Sequence, residues 1–232
     1  PGATALAGLV FVGSELESVT DVRVLGAGGL VGLAAAGAGL VLLGPAVIIP
    51  AYVGGILATA ATVRFRKLNE DERAFARVVF GDSLPFDRIV ITNMTGEGGR
   101  PFVCPNVDQQ ILVNLGDNFH DILRATKKYQ FPGQLFIHEL VHAWQIANAK
   151  RASDFVWSGV LEQATAHEPY DYGPAGPPWS DFGIEAQASI VDGWFAGSYA
   201  RSIVDRGRER EVRSPTDPYF RYIADNIRTK QP

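Results

Sequence analysis

A single cysteine, Cys104, stands in 232 residues. One thiol excludes any intramolecular disulfide and leaves the redox compartment open. Its neighbours Pro101, Phe102, Val103 and Pro105 are strand-like, so Cys104 reads as a small buried hydrophobe rather than a nucleophile. A basic surplus is missing too: 21 Lys and Arg against 25 Asp and Glu leave a formal net charge of -4, which argues against a nucleic-acid partner. The arginines that do gather, Arg201, Arg206, Arg208, Arg210 and Arg213, are interleaved with Asp205, Glu209 and Glu211 and read as a solvated helical face.

The most conspicuous absence is of charge between Arg23 and Arg64. Gly44 and Pro45 divide this stretch into Val24 to Leu43 and Ala46 to Val63, each near the roughly 20 residues that cross a bilayer. Gly28, Gly32 and Ala36 repeat at four-residue spacing, as do Gly54, Ala58 and Thr62, a pattern that lets two helices approach closely. Arg23 at one end and Arg64, Arg66 and Lys67 at the other put both ends on one positive side. The expectation is an apolar, Gly/Ala-rich helical hairpin over 24–63 that contacts a membrane. A hairpin buried against a chaperone, a neighbouring chain or a soluble assembly is the alternative. The stretch is too long and too far in for a cleavable signal peptide, and Pro1 suggests a processed chain or an excised fragment.

Histidine is scarce, yet two of the four fall in His138-Glu139-Leu140-Val141-His142. On a helix, side chains at i and i+4 share a face, so both imidazoles can reach one cation while Glu139 points beside it. This is the HExxH pattern of zinc metalloproteases. Leu135, Phe136 and Ile137 before it and Ala143 and Trp144 after it suit a core helix, which Pro132 and Gly133 punctuate upstream and which runs to about Lys150. Zinc needs a third ligand and an open position for water. Glu185 lies in the first turn of a helix expected from Asp181 as its cap, with Ile184, Ala188, Val191 and Phe195 on its core face. A carboxylate in so apolar a neighbourhood is costly unless paired or metal-bound. Glu162, His167 and Asp181 are its rivals.

Around the motif, Arg64 to Val79 reads as a helix ended by Gly81-Asp82-Ser83. Asp87 to Thr92, Arg100 to Cys104 and Gln110 to Leu115 read as strands, with Gly96-Glu97-Gly98-Gly99 as the turn between the first two. Asp154 to Ala164 reads as a further helix. The fold class expected is α+β, a small antiparallel sheet beside the motif helix. The domains expected are an N-terminal segment 1–23, the hairpin 24–63 and a metallopeptidase-like domain 64–232.

These residues together resemble the gluzincin-type metallopeptidase domains found in bacterial secreted toxins and in proteins associated with contractile injection systems. The likeness is carried by Phe80 to Ser83, Asp87 to Ile91, Ile137 to Gln145, Tyr170-Asp171-Tyr172 and Ile184 to Ala188, and spans about Arg64 to Ala200. It implies a zincin-like fold, His138, His142 and Glu185 as zinc ligands, and Glu139 as the base. One departure stands out: Ser189 occupies the place of an Asp four residues after the third ligand, so support of the metal must come from elsewhere, with Asp192 as the candidate. Tyr172, with Tyr170 and His167 as alternatives, could reach the oxygen of a tetrahedral intermediate. The reading that results is a delivered bacterial effector or toxin that hydrolyses a peptide bond in a protein or peptide substrate. A cell-wall or lipid amide as substrate would share the metal chemistry. A membrane-inserting or structural injection-system component with an inert zinc domain is the competing reading.

Overall fold

The computed structural model describes residues 63–95, 99–106, 109–149, 170–197 and 210–232. The apolar stretch 24–63 and its hairpin, except for Val63, lie outside the described residues, as does the helix expected at 154–164. Among the described residues no helix is long and apolar enough to cross a membrane. The chain divides into two compact units, 1–65 with 106–110, and 66–105 with 111–232. The second carries the site.

The class is α+β. Strand β1 (Phe65–Lys67) precedes helix α1 (Glu70–Phe80), so the expected helix starts six residues later than Arg64. The reason is local. Asn69 accepts a bond from the Glu72 backbone N–H at 2.8 Å, and the Glu72 carboxylate accepts from the Asn69 N–H at 2.9 Å, a reciprocal capping box. Arg66 of β1 then grips the same carboxylate through two bonds of 2.7 and 2.8 Å, which ties the strand to the first turn of the helix. Gly81 ends the helix as expected, at φ 55°.

Strands β2 (Ile89–Thr92), β3 (Phe102–Pro105) and β4 (Ile111–Asn114) complete a four-stranded sheet of order β1-β2-β4-β3. The expectation of an antiparallel sheet is corrected here: β2 runs parallel to β4, from Ile89 opposite Ile111 to Thr92 opposite Asn114. Only β3 is antiparallel to β4. Gly96 to Gly99 therefore does not join neighbouring strands, because β4 lies between β2 and β3. Every residue of β2 and β4 is buried, as central strands of a mixed sheet should be, whereas β3 is half-buried throughout.

Helix α2 (Gln134–Asn148) carries the motif and packs against β3, β4 and helix α3 (Ile184–Ala196). Its residues 134–146 are all buried. Gly133 takes φ 77° at the N-cap, and a Cβ there would meet the Phe75 ring at 2.3 Å, so the close approach of α1 requires glycine. Helix α3 begins after a 3-10 turn at Trp179–Asp181. Its cap is Gly183, and Asp181 is exposed in the turn, which corrects the expected cap. Ala188, Val191 and Phe195 line the core as expected.

The chain returns through α4 (Phe220–Tyr222), continued by a π-helical turn at Ile223–Ile227. Trp144 of α2, fully buried, donates its indole N–H to the Ile227 carbonyl at 3.0 Å. Arg228 reaches back to the Val78 and Val79 carbonyls of α1. Tyr222 holds the 170–178 segment, donating to the Pro177 carbonyl and accepting from the Gly176 N–H, while Tyr219 donates to the Gly173 carbonyl. Of the arginine face, residues 210–213 can be followed: Glu211 and Arg213 are exposed as expected, while the helix is corrected. Residues 210–213 are not helical, and Arg210 is nearly buried in an ion pair of 2.7 Å with Asp217, whose carboxylate outcompetes water for the guanidinium.

Candidate metal centre

Helix periodicity brings His138 and His142 onto one face of α2, and packing of α3 across that face brings Glu185 to them. The three are 2%, 7% and 5% exposed. Each offers one ligand atom, and these atoms lie within 4.8 Å of one another. Glu185 Oε2 stands 3.3 Å from His138 Nε2 and 3.4 Å from His142 Nε2. Both gaps are long for a charge-assisted hydrogen bond, which closes to about 2.7–2.9 Å. They match instead the edge of a tetrahedron around a cation with bonds of about 2.0–2.1 Å, which is about 3.3–3.4 Å.

The far side of each ring is held tightly. His138 Nδ1 donates to Asp192 Oδ2 at 2.8 Å, and Asp192 Oδ1 accepts from Gln134 Nε2 at 2.7 Å. His142 Nδ1 donates to Gln145 Oε1 at 2.8 Å. The Gln145 amide is oriented by its nitrogen, which donates to the Ile184 carbonyl at 3.1 Å and to Gln187 Oε1 at 2.8 Å. Gln187 in turn donates to the Trp179 carbonyl at 3.1 Å. Both rings thus hold their proton on Nδ1 and turn Nε2 toward Glu185, the tautomer that a metal ligand needs. The donor set is compatible with a bound metal ion.

The electrostatics of these groups agree. Burial would lower the His138 pKa, but its bonds to Asp192 and Glu185 outweigh burial and raise it to about 9. His142 is likewise raised against burial, by Glu185. Burial would raise the Glu185 carboxyl, yet the two facing imidazoles hold it well below the usual carboxylate range. Glu139, 5% exposed, is different: burial raises its pKa, and the charges of His138 and His142 only partly oppose this.

Of the rival ligands, Asp181 is exposed, and Glu162 and His167 lie outside the described residues. Tyr172 is buried with its ring 5.1 Å from that of Tyr219, in the core cluster. Of the two tyrosines expected near the carbonyl oxygen, Tyr170 is the one beside the candidate ligands, its ring centroid 6.1 Å from that of His138. Asp192, the group expected to serve where Ser189 departs from the pattern, lies two turns after Glu185 and bonds the His138 ring. Gln134 and Gln145 escaped the sequence reading, although each carries a signal: Gln134 lies four residues before His138 and Gln145 three after His142, both neighbours on a helix. Cys104 on β3 is half-buried, with its pKa pushed up to about 11 by burial, as suits a thiol without chemistry. No family model, no curated protein and no solved structure matches this chain.

Proposed function

We propose that this chain is a zinc-dependent metallopeptidase with a zincin-like scaffold of the gluzincin type. The observation that carries the proposal is the meeting of three buried donor atoms beside Glu139, a carboxylate outside the ligand set. A structural zinc site closes its fourth position and has no use for such a base. Imidazole and carboxylate donors at these spacings suit zinc.

Zinc bound there would lower the pKa of its water to about 7 and polarise the scissile carbonyl. The chain's own residues do the rest. Glu139, its pKa raised by burial, takes a proton from the attacking water and passes it to the leaving amine. Asp192 and Gln145 keep the two imidazoles in register through Nδ1. Strand β3 lies at the edge of the sheet beside α2, and an extended peptide can pair with such an edge by main-chain bonds. Tyr170, near His138, is a better placed candidate than Tyr172 for contact with the carbonyl oxygen.

Delivery by a bacterial secretion apparatus is supported by the resemblance of the motifs. Membrane contact through 24–63 is supported by the lack of charge between Arg23 and Arg64.

Glu139→Gln tests the reaction. The variant keeps shape and should keep about one zinc per chain, whereas Glu185→Ala and His142→Ala should lose it. Proteolysis by Glu139→Gln should fall by about 10²-fold or more in a proteome-wide cleavage assay. Equal cleavage or equal toxicity in wild type and Glu139→Gln would sink the enzyme and favour the structural component.

A further inference from the structure

The segment before α2 brings a cation to the aromatic rings beside His138. Thr126 and Tyr129 bond to each other twice: the Thr126 N–H donates to the Tyr129 carbonyl at 2.7 Å, and the Tyr129 N–H donates to the Thr126 hydroxyl at 3.0 Å. This pinches the chain into a tight turn with Lys127 and Lys128 at its exposed tip. Tyr129 anchors the turn, buried with its ring centroid 5.4 Å from that of His138.

Lys128 is positioned further by aromatic faces. Its ammonium lies 4.2 Å from the centre of the Tyr170 ring and 5.6 Å from that of Tyr129, both within reach of a cation-π attraction. Both rings also flank His138. A flexible lysine stem is therefore held against two rings that flank His138, its charge close enough to be felt by Glu139. Part of the entropy of ordering that side chain is already spent before anything binds. On a chain of net charge -4, a placed cation at this rim favours substrates of the opposite sign.

We propose that Lys128, presented by the Thr126–Tyr129 turn and stacked on Tyr170, binds a carboxylate of the peptide that occupies the metal site. It is a specificity residue, and the assignment rests on the peptidase reading for the position of the peptide. Two sources share this chemistry: the terminal carboxylate of a short peptide, and an Asp or Glu side chain near the scissile bond.

The test uses full-length, zinc-loaded Glu139→Gln protein, so that binding is read without turnover. Four N-acetylated peptides are compared, pairing a free or amidated C-terminus with Glu or Gln at one position. A carboxylate should tighten binding about 10-fold over its neutral partner, and added salt should erode the preference. Preference for the free terminus points to end recognition, and preference for Glu over Gln points to an acidic side chain. Lys128→Met in the same background, checked for fold by circular dichroism and for zinc by elemental analysis, should bring the ratio to about one. Equal binding of charged and neutral peptides, a preference that survives Lys128→Met, or no binding of the charged peptides would overturn the assignment. The peptidase reading fails separately: if protein with intact Glu139 leaves the preferred peptides uncut, the carboxylate preference stands while the reaction does not.

Discussion

His138 and Asp192 are 54 positions apart in the chain, and their side chains meet at 2.8 Å through the ring nitrogen that faces away from the ligand cluster. Asp192 reaches this place from the second turn after Glu185, on the same buried face of α3. One helix therefore supplies both a candidate ligand and the group that orients another.

Asp192→Ala should lower zinc affinity about 10 to 100-fold, the usual effect of losing a carboxylate behind a ligating histidine. Asp192→Asn, whose amide oxygen can still accept from His138 Nδ1, should recover part of the loss. Competition against a chromogenic chelator reads both values. Unchanged affinity in Asp192→Ala would remove Asp192 from the site.

Zinc and pH should act in opposite directions. In metal-free protein the folded state raises the His138 pKa from 6.5 to about 9. The stability this contributes is complete below pH 6.5 and is lost as the pH rises through about 9. Zinc competes with those protons, so its affinity should climb over the same window. Melting curves of chelator-stripped and zinc-loaded protein should therefore draw apart as pH rises from 6.5 to 9. Parallel curves would contradict the proton-for-metal exchange.

Trp144→Phe removes the indole donor and leaves the Ile227 carbonyl without it, for a cost of about 1–3 kcal/mol. Trp144→Ala adds a cavity and should cost about 3–5 kcal/mol. Urea denaturation measures both. A loss below about 0.5 kcal/mol in Trp144→Phe would mean that water replaces the bond.

If 24–63 meets lipid, Leu33→Lys or Ile56→Lys should weaken association with liposomes, since a charge near the middle of a span costs roughly 2.5–3.5 kcal/mol on the insertion scale. Flotation of both variants equal to wild type would remove the membrane from the reading.

The motif helix was legible because its information is local: His138 and His142 four apart, a Pro-Gly stop before them and apolar residues around them. Glu185 was legible for a related reason, a carboxylate in the first turn of an apolar helix. The sheet was not. Three short apolar runs look alike whether they pair in parallel or antiparallel fashion, and the insertion of β4 between β2 and β3 depends on contacts remote in sequence. The start of α1 is hard to see in sequence because the Asn69 and Glu72 box stands within a charged run that begins at Arg64. Lys128 was invisible for a third reason: the turn closed by Thr126 and Tyr129 sets a surface lysine against rings that come together only in the fold.

The bond from Trp144 to Ile227 has a consequence for synthesis. The helix that carries two candidate ligands is fastened by a carbonyl made 83 residues later, and the loop bearing Tyr170 is tied by Tyr219 and Tyr222. While residues beyond about 219 are still inside the ribosome, α2 lacks its backing and that loop its anchor. The centre cannot mature as soon as its ligands emerge. Metal offered to the emerging chain before Ile227 is made would therefore meet its candidate ligands on a helix without that backing.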